Sequence, residues 1–525
     1  MSGPDASVNL RDPAYWARLG ETLLERHQMV DAVVALQRAV ELDPTALNFA
    51  NLGSALAGVD RLDESLGALQ QAVALAPHWS EAHRGVGAAL YSMGRVDEAI
   101  AAFERALAED PANAAAHSML LYMRLFQGTT APLEIRAQHV AWAAMHTANV
   151  ARLSAATNER SPDRRLRVGY VSPNFRNQAV ARFVVPIFDN HDPWEVEIFA
   201  YSDAVATDAT TAKLKVKADE WRETAALSDA QLANLVREDR IDLLVDLTGH
   251  IGGGRLRTFA AKPAPVQIAY LGYQATTGIS AIDYVLTDDW ADPPGKTEAF
   301  WVEQPWRLPG TFYCYDPPAA APGVGALAAM CRGHVTFGCL NNLAKVTPRT
   351  LDVWSRILAA VADARLVLLA PRSDSVHERL RREFSRRNVS GDRIEFVGRS
   401  AMQQYLDRYN QIDIALDPIP FNGHTTTCDA AWMGVPTVCL AGEAYAYRYG
   451  GSVMRQCGLA ELVVEDEGAY VAAAIGLARD LSRLSEIRAS LRERIAGSVI
   501  MDGAGFVRGL EAAYRAMWRR WCASS

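Results

Sequence analysis

IDIALDPIPFNGHTTTCDAAWMG (residues 412–434) reads as a strand, a tight turn and a helix in immediate succession. The apolar run ends at Asp417. Pro418, Pro420 and Gly423 turn the chain, and Thr425, Thr426 and Thr427 stand where a helix begins, with CDAAWMG continuing it. In a parallel α/β sheet, ligands bind beyond the carboxyl ends of the strands, so this turn lies where chemistry is expected. A helix start offers unpaired backbone N–H groups and the positive end of its dipole, which suits a pyrophosphate. The threonine hydroxyls add donors, and Asp429, about one turn in, is placed to accept from sugar hydroxyls. The competing reading is plain N-capping of a structural helix.

Outward from this stretch, VTFGCL, ARLVLLA, RIEFVG, IDIALDP and PTVCLA read as buried strands separated by helices. FGCLNNLAKVTPRTLDVW is a second strand-end candidate. Its strand leads into Asn341, Asn342 and Lys345 and then a proline-started helix, and one lysine there can stabilise charge on a departing diphosphate. Earlier in the chain, LRVGYVS (166–172), VEIFAYS (196–202), IDLLVDLTG (241–249) and VQIAYLGY (266–273) form a similar set, with LSDAQLANLVRED as a helix between two of them. The alternation predicts two parallel sheets covered by helices, facing each other. DPPAAAPGVG links them, and GLEAAYRAMWRRW closes the chain as a helix.

The first part of the chain repeats. YWARLGETLLERHQMVDAVVALQRAVELDP aligns with ANLGSALAGVDRLDESLGALQQAVALAP and RGVGAALYSMGRVDEAIAAFERALAEDP. Gly20, Gly53 and Gly87, Ala39, Ala72 and Ala106, and Pro44, Pro77 and Pro111 each step by 33 and then 34 residues. This is the pattern of tetratricopeptide repeats: a small residue lets paired helices approach, and proline ends each unit. AAAHSMLLYMRLF and PLEIRAQHVAWAAMHT should cap the stack. A polar NERSPDRR marks its end, so the expected division is 1–160, 161–325 and 326–525.

Composition excludes several classes. Half of the 525 residues are apolar and the formal net charge is -8, so a general nucleic-acid binder is not expected, and no stretch of 18 uninterrupted apolar residues occurs, so no membrane span is expected. The seven cysteines are odd in number and include no C-x-x-C pair, which predicts buried reduced thiols. The N-terminus lacks a basic segment followed by an apolar run, so a cytoplasmic protein is expected.

Residues 164–520 resemble the SPINDLY and O-GlcNAc transferase family. RVGYVSPNFRNQAVARF, DLLVDLTGH, KPAPVQIAYLGYQATTG, DYVLTD, FGCLNNLAKVTP, NGHTTTCDAAWMGVP and AYRAMW carry the resemblance, in order. It implies an α/β fold behind an all-α N-terminal repeat: tetratricopeptide repeats joined to a GT-B pair of Rossmann-like domains. It implies inverting, metal-free transfer of a sugar from UDP or GDP to serine or threonine, with no cofactor beyond the nucleotide sugar. Acceptor proteins would bind through the repeat groove.

By the same resemblance Lys345 contacts the donor diphosphate. His424, Thr425 and Thr426 bind the donor, with Thr427 and Asn342 beside them, and Asp429 binds ribose. Arg408 lies near the nucleobase, and Tyr273 and Thr276 lie in the GYQATTG loop on the acceptor side. Two positions depart from the pattern. Gln178 stands where histidine is usual, and glutamine cannot take a proton at neutral pH. Gln274-Ala275 replaces Pro-Gly. His250, at a strand end, fits a structural or acceptor-side role as well as a catalytic one. Asp208 is the nominee if a protein base is needed, although a solvated loop aspartate explains it too, and Asp288-Asp289 reads as a polar loop. The expected donor is UDP-GlcNAc. The alternatives are GDP-fucose, or a catalytically weak repeat scaffold, the reading that Gln178 feeds.

Overall fold

The computed structural model describes residues 11–524. Its first third is a stack of antiparallel helix pairs: Pro13–Glu25 with Met29–Leu42, Ala46–Gly58 with Leu62–Leu75, and Ser80–Ser92 with Val96–Glu109. The periodic glycines are where the paired helices touch. A Cβ at Gly20, Gly53 or Gly87 would run into Leu36, Leu69 or Phe103 of the second helix. The periodic alanines, Ala39, Ala72 and Ala106, are fully buried on that second helix. Each second helix stops at a non-helical C-cap residue, Asp43, Ala76 or Asp110, directly before its proline. Steric conflict with the proline ring pushes the preceding residue out of the helical region, which sets the repeat length. A fourth pair, Ala114–Gln127 and Pro132–His146, ends the stack.

Two parallel sheets follow. The first contains β1 (Leu166–Ser172), β2 (Val196–Ser202), β3 (Glu220–Glu223), β4 (Leu243–Asp246), β5 (Val266–Ala269), β6 (Tyr284–Thr287) and β7 (Gln304–Arg307), in the order β3-β2-β1-β4-β5-β6-β7. The second contains β8 (Thr336–Cys339), β9 (Arg365–Leu369), β10 (Ile394–Val397), β11 (Ile414–Leu416), β12 (Thr437–Leu440) and β13 (Val463–Val464), in the order β10-β9-β8-β11-β12-β13. In each sheet the order reverses beside a central strand, β1 or β8, and the crevice at such a reversal is where this fold type binds ligands. The helix expected from LSDAQLANLVRED runs Asp229–Glu238, started by a reciprocal capping box between Ser228 and Gln231.

The closing helix, Gly503–Ala523, crosses back to the first sheet's domain. There the Trp518 indole donates to the Ser161 carbonyl at 2.9 Å and Arg515 pairs with Glu195 at 2.6 Å. The return crossing runs beside the outgoing linker: the Tyr315 N–H donates to the Ile500 carbonyl at 2.9 Å. Buried thiols hold for five cysteines, but Cys331 is exposed and Cys522 half-buried, and no disulfide links any of the seven. Among the described residues no helix is long and apolar enough to cross a membrane.

The helix contacts yield a stability test. At Gly87 an added Cβ would lie 2.7 Å from the Phe103 ring, which is itself fully buried. Gly87→Val should destabilise the protein by about 1–3 kcal/mol through overpacking. Urea unfolding measures it, and an unchanged midpoint would show that the helices separate at no cost.

Candidate active site

β8 and β11 are neighbours, and the turns after them meet. After β8, Asn341 leads into a 3-10 turn, Leu343–Lys345. After β11, Asp417 and the Pro418–Gly423 turn lead into the helix Thr425–Trp432. The Lys345 ammonium reaches across and donates to the Asn422 carbonyl at 2.8 Å, over the Phe421 ring at 4.6 Å. Burial lowers the pKa of Lys345, opposed by the nearby Asp417 carboxylate. The same burial raises Asp417, whose Oδ1 accepts from the Gly423 N–H at 2.6 Å. The result is a half-buried cation at the mouth of a helix.

That helix has no side-chain cap. The amides of Thr425 and Thr426 open its first turn, where an α-helix has no carbonyl to offer them. Thr426 donates to Asn341 Oδ1 at 2.8 Å, which ties the two turns together. Four buried polar atoms close by have no hydrogen-bond partner: Asp417 Oδ2, Asn422 Oδ1, His424 Nε2 and Thr427 Oγ1. An unpaired buried polar group costs about 1–3 kcal/mol, so such a cluster along one turn and helix start marks a surface built to be satisfied by something polar.

His424 lies between the domains. Its ring stacks on Phe183 of the first domain at 4.3 Å and 12°, and meets Tyr313 edge-on at 4.3 Å. Burial, and to a smaller extent Lys345, pushes it down to about 3, so it is neutral at physiological pH and acts by hydrogen bonding rather than charge. Asp429 is buried at the second turn of the helix and accepts from the Tyr315 hydroxyl, and from Tyr405 at 3.2 Å. Burial raises its pKa, while Tyr315 and nearby Arg182 work against that rise. Arg408 ends the helix Met402–Arg408, half-buried and without an ion pair among the described residues.

On the acceptor side the structure assigns firmer roles than the sequence does. Thr276 is buried, and its hydroxyl donates to Glu303 at 2.5 Å while accepting from the Val302 and Gly278 amides. It braces the GYQATTG loop rather than offering a free hydroxyl. The Tyr273 hydroxyl meets His139 Nε2 at 2.7 Å. His139 Nδ1 faces the Ile135 carbonyl and must carry the proton, so Tyr273 is the donor in that bond. His250 bridges Ser118 and the Thr277 carbonyl. Burial holds it well below its ordinary pKa, and it joins the cap helices to the loop as a neutral ring. Asn342 is likewise occupied: Oδ1 caps the Ala344 amide at 3.0 Å and Nδ2 donates to Tyr91 at 2.7 Å.

Gln178 is exposed. It lines a cavity of about 420 Å³ with Arg182, Asp208, Lys213, Asp316 and Met402, the last from the second domain. Asp208 is a helix cap. Its carboxylate accepts from the amides of Thr210, Thr211 and Asn177 at 2.8, 3.1 and 2.7 Å, bonds that lower its pKa against a partial desolvation. A carboxylate with three N–H donors is a poor base. Asp288 accepts from the amides of Trp290, Ala291 and Phe312, the polar loop anticipated for it. Sequence reasoning missed Asp417, Glu303, His139, Tyr91, Tyr315 and Tyr405. Asp417 was legible as the polar residue closing a buried strand. The others come from distant elements and carry no local signal.

Facing parallel sheets, with a helix start and a desolvated lysine on the second, define the GT-B class of paired Rossmann-like domains. The chain belongs to glycosyl transferase family 41: residues 106–320 and 328–510 match that family, and residues 51–114 match a tetratricopeptide repeat family. The probable UDP-N-acetylglucosamine--peptide N-acetylglucosaminyltransferase SPINDLY of Hordeum vulgare is 39% identical over 391 residues, covering 73% of this chain and 41% of that protein. Its counterpart in Arabidopsis thaliana is 39% identical over 372 residues, covering 70% and 41%. The chain thus spans about two fifths of the length of these relatives. A solved mutant of the Thermobaculum terrenum O-GlcNAc transferase is 34% identical, with a TM-score of 0.93 over 99% of both chains.

Two substitutions test the site. Lys345→Ala should lower kcat by about 100-fold or more, the scale of losing one preorganised charge contact. Because burial lowers the lysine's pKa, the wild-type rate should fall on the alkaline side at a lower pH than an ordinary lysine would give. A folded Lys345→Ala with near-normal turnover removes the lysine from the chemistry. Asp208→Asn keeps a competent cap and should change kcat by less than about threefold, whereas a base would lose about 100-fold or more.

Proposed function

We propose that this chain is an inverting protein O-glycosyltransferase that carries N-acetylglucosamine from UDP-GlcNAc to serine or threonine hydroxyls of other proteins. The observation that carries this reading is the meeting of Lys345 with the uncapped helix start at Thr425, amid unpartnered buried polar atoms. The names of the relatives in barley and Arabidopsis and of the Thermobaculum enzyme support the donor and the acceptor class.

The chemistry is a single in-line displacement. The acceptor oxygen forms a bond to the anomeric carbon while the bond from that carbon to the diphosphate oxygen breaks, which inverts the configuration. UDP departs with the electron pair, and the acceptor proton passes to solvent. Lys345 and the amides of Thr425 and Thr426 meet the charge that builds on the diphosphate, in a site where few waters compete. Neutral His424 donates or accepts a hydrogen bond at the sugar diphosphate. Asp429 and the Tyr315–Tyr405 pair make a polar floor for ribose. No general base is required if positioning and leaving-group stabilisation supply most of the rate.

The acceptor would enter between the repeats and both sheets. A cavity of about 910 Å³ opens there, lined by Gly128–Pro132 of the cap turn, by Lys296 and Phe300, and by Gly442 and Tyr447. A smaller cavity that shares Pro132, Phe300 and Ala444 with it reaches Gln274, Ala275 and Thr276 of the acceptor loop.

Calorimetry and hydrolysis with UDP-GlcNAc, GDP-fucose and other nucleotide sugars test the donor, and binding of GDP-fucose in preference to UDP-GlcNAc would overturn it. No cluster of three or more His, Cys, Asp or Glu suited to a metal ion occurs among the described residues. Transfer should therefore survive EDTA, and a loss restored by manganese would refute the metal-free mechanism. Gln178 separates positioning from proton transfer at its position. Gln178→His should alter the transfer rate only modestly and add a pH dependence between about 6 and 7. A rise of about 100-fold would instead mean that the native enzyme lacks a proton carrier there.

A further inference from the structure

The repeats reach the donor site itself. Tyr91, at the end of the last regular repeat's first helix, accepts a 2.7 Å hydrogen bond from Asn342 Nδ2, and Asn342 Oδ1 caps the turn that carries Lys345. That turn is only three residues long, and this asparagine is its N-cap. The Tyr91 ring also lies parallel to Phe126 at 6.1 Å and 1°. Phe126 meets Phe421 edge-on at 4.7 Å, and Phe421 lies beneath the Lys345 ammonium at 4.6 Å. One tyrosine is thus linked to both supports of the lysine, directly to Asn342 and by way of Phe126 to Phe421. The next turn adds a close approach. Gly94 has φ +69, and a Cβ there would lie 2.7 Å from Leu343 Cγ and 3.2 Å from the Leu343 carbonyl oxygen. Arg379 of the second domain holds the same turn by donating to the Met93 carbonyl at 2.8 Å.

We infer that Tyr91 is a positioning residue for Lys345, so that the repeat stack, besides receiving acceptors, holds part of the leaving-group machinery in place. The inference rests on the role proposed above for Lys345. Docking alone would give Tyr91 a role in stability and none in turnover. Positioning makes the hydroxyl matter to the diphosphate, because an asparagine without its outer partner no longer fixes the turn, and a lysine displaced by a fraction of an ångström loses much of its effect.

The test uses the full chain, with UDP-GlcNAc hydrolysis and calorimetric UDP binding as readouts. Tyr91→Phe keeps the ring and removes the hydroxyl. It should lower kcat by about 10-fold and weaken UDP binding by a similar factor, with the KM for a protein acceptor unchanged. Asn342→Ala should do the same. The double variant should be no worse than Asn342→Ala alone, because both break one chain of contacts. Gly94→Ala presses on Leu343 with Tyr91 intact and should also lower kcat, which keeps the test open if Tyr91→Phe folds poorly. Wild-type kcat in Tyr91→Phe or in Gly94→Ala, beside a crippled Lys345→Ala, overturns the inference and leaves the lysine's role standing. Losses that multiply in the double variant also overturn it. A Lys345→Ala protein that binds UDP and turns over normally overturns both the lysine's role and this inference.

Discussion

Lys345 is held half-buried, with a carboxylate, a carbonyl and an aromatic face for company. Removing an ammonium from water is expensive, and burial accordingly pushes the group toward its neutral form. Two features of the fold offset that cost: β11 ends in Asp417, and the turn after it turns the Asn422 carbonyl toward the ammonium. The start of the next helix adds positive charge density nearby, so the site as a whole favours an anion. All of them follow β11, and its neighbour β8 supplies the lysine. The same desolvation that makes the charge costly also makes it effective, because an anion arriving there meets little competition from water.

The architecture was written plainly in the sequence where burial is complete. Every strand anticipated from an apolar run formed, because a strand covered on both faces must be apolar throughout. The repeats were legible for a related reason: their glycines, alanines and prolines each answer a steric requirement that recurs with every helix pair. Four strands were not anticipated. Glu-Trp-Arg-Glu of β3 and Gln-Pro-Trp-Arg of β7 are half-exposed edge strands, β13 has two residues, and β6 is a short strand of four. Edge strands gain their pairing from a neighbour already in place, so their own side chains need show no pattern.

The site was legible only in part, and the division follows sequence distance. Residues that share a strand end or a helix start, such as His424, Thr425 and Asp429, announce themselves as a cluster. Residues that complete them from elsewhere do not. Tyr315 in the linker, Tyr405 on another helix, Tyr91 in the repeats and Glu303 beside the acceptor loop reach the site only through the fold. Contacts between distant elements are equally silent in the sequence: the polar atoms of Asn342, Thr276 and His250 are bonded to other parts of the chain.

The return of the last helix to the first domain means that the two sheets are tethered twice, and that the tethers run side by side at Tyr315 and Ile500. A single tether would leave the domains free to swivel as well as to part. Two adjacent tethers restrain twist between the domains more than one would. Tyr315 lies where they run side by side, with its hydroxyl on Asp429 and its ring 6.2 Å from Phe183, so the stack of Phe183 on His424 sits close to the line where the chain crosses twice.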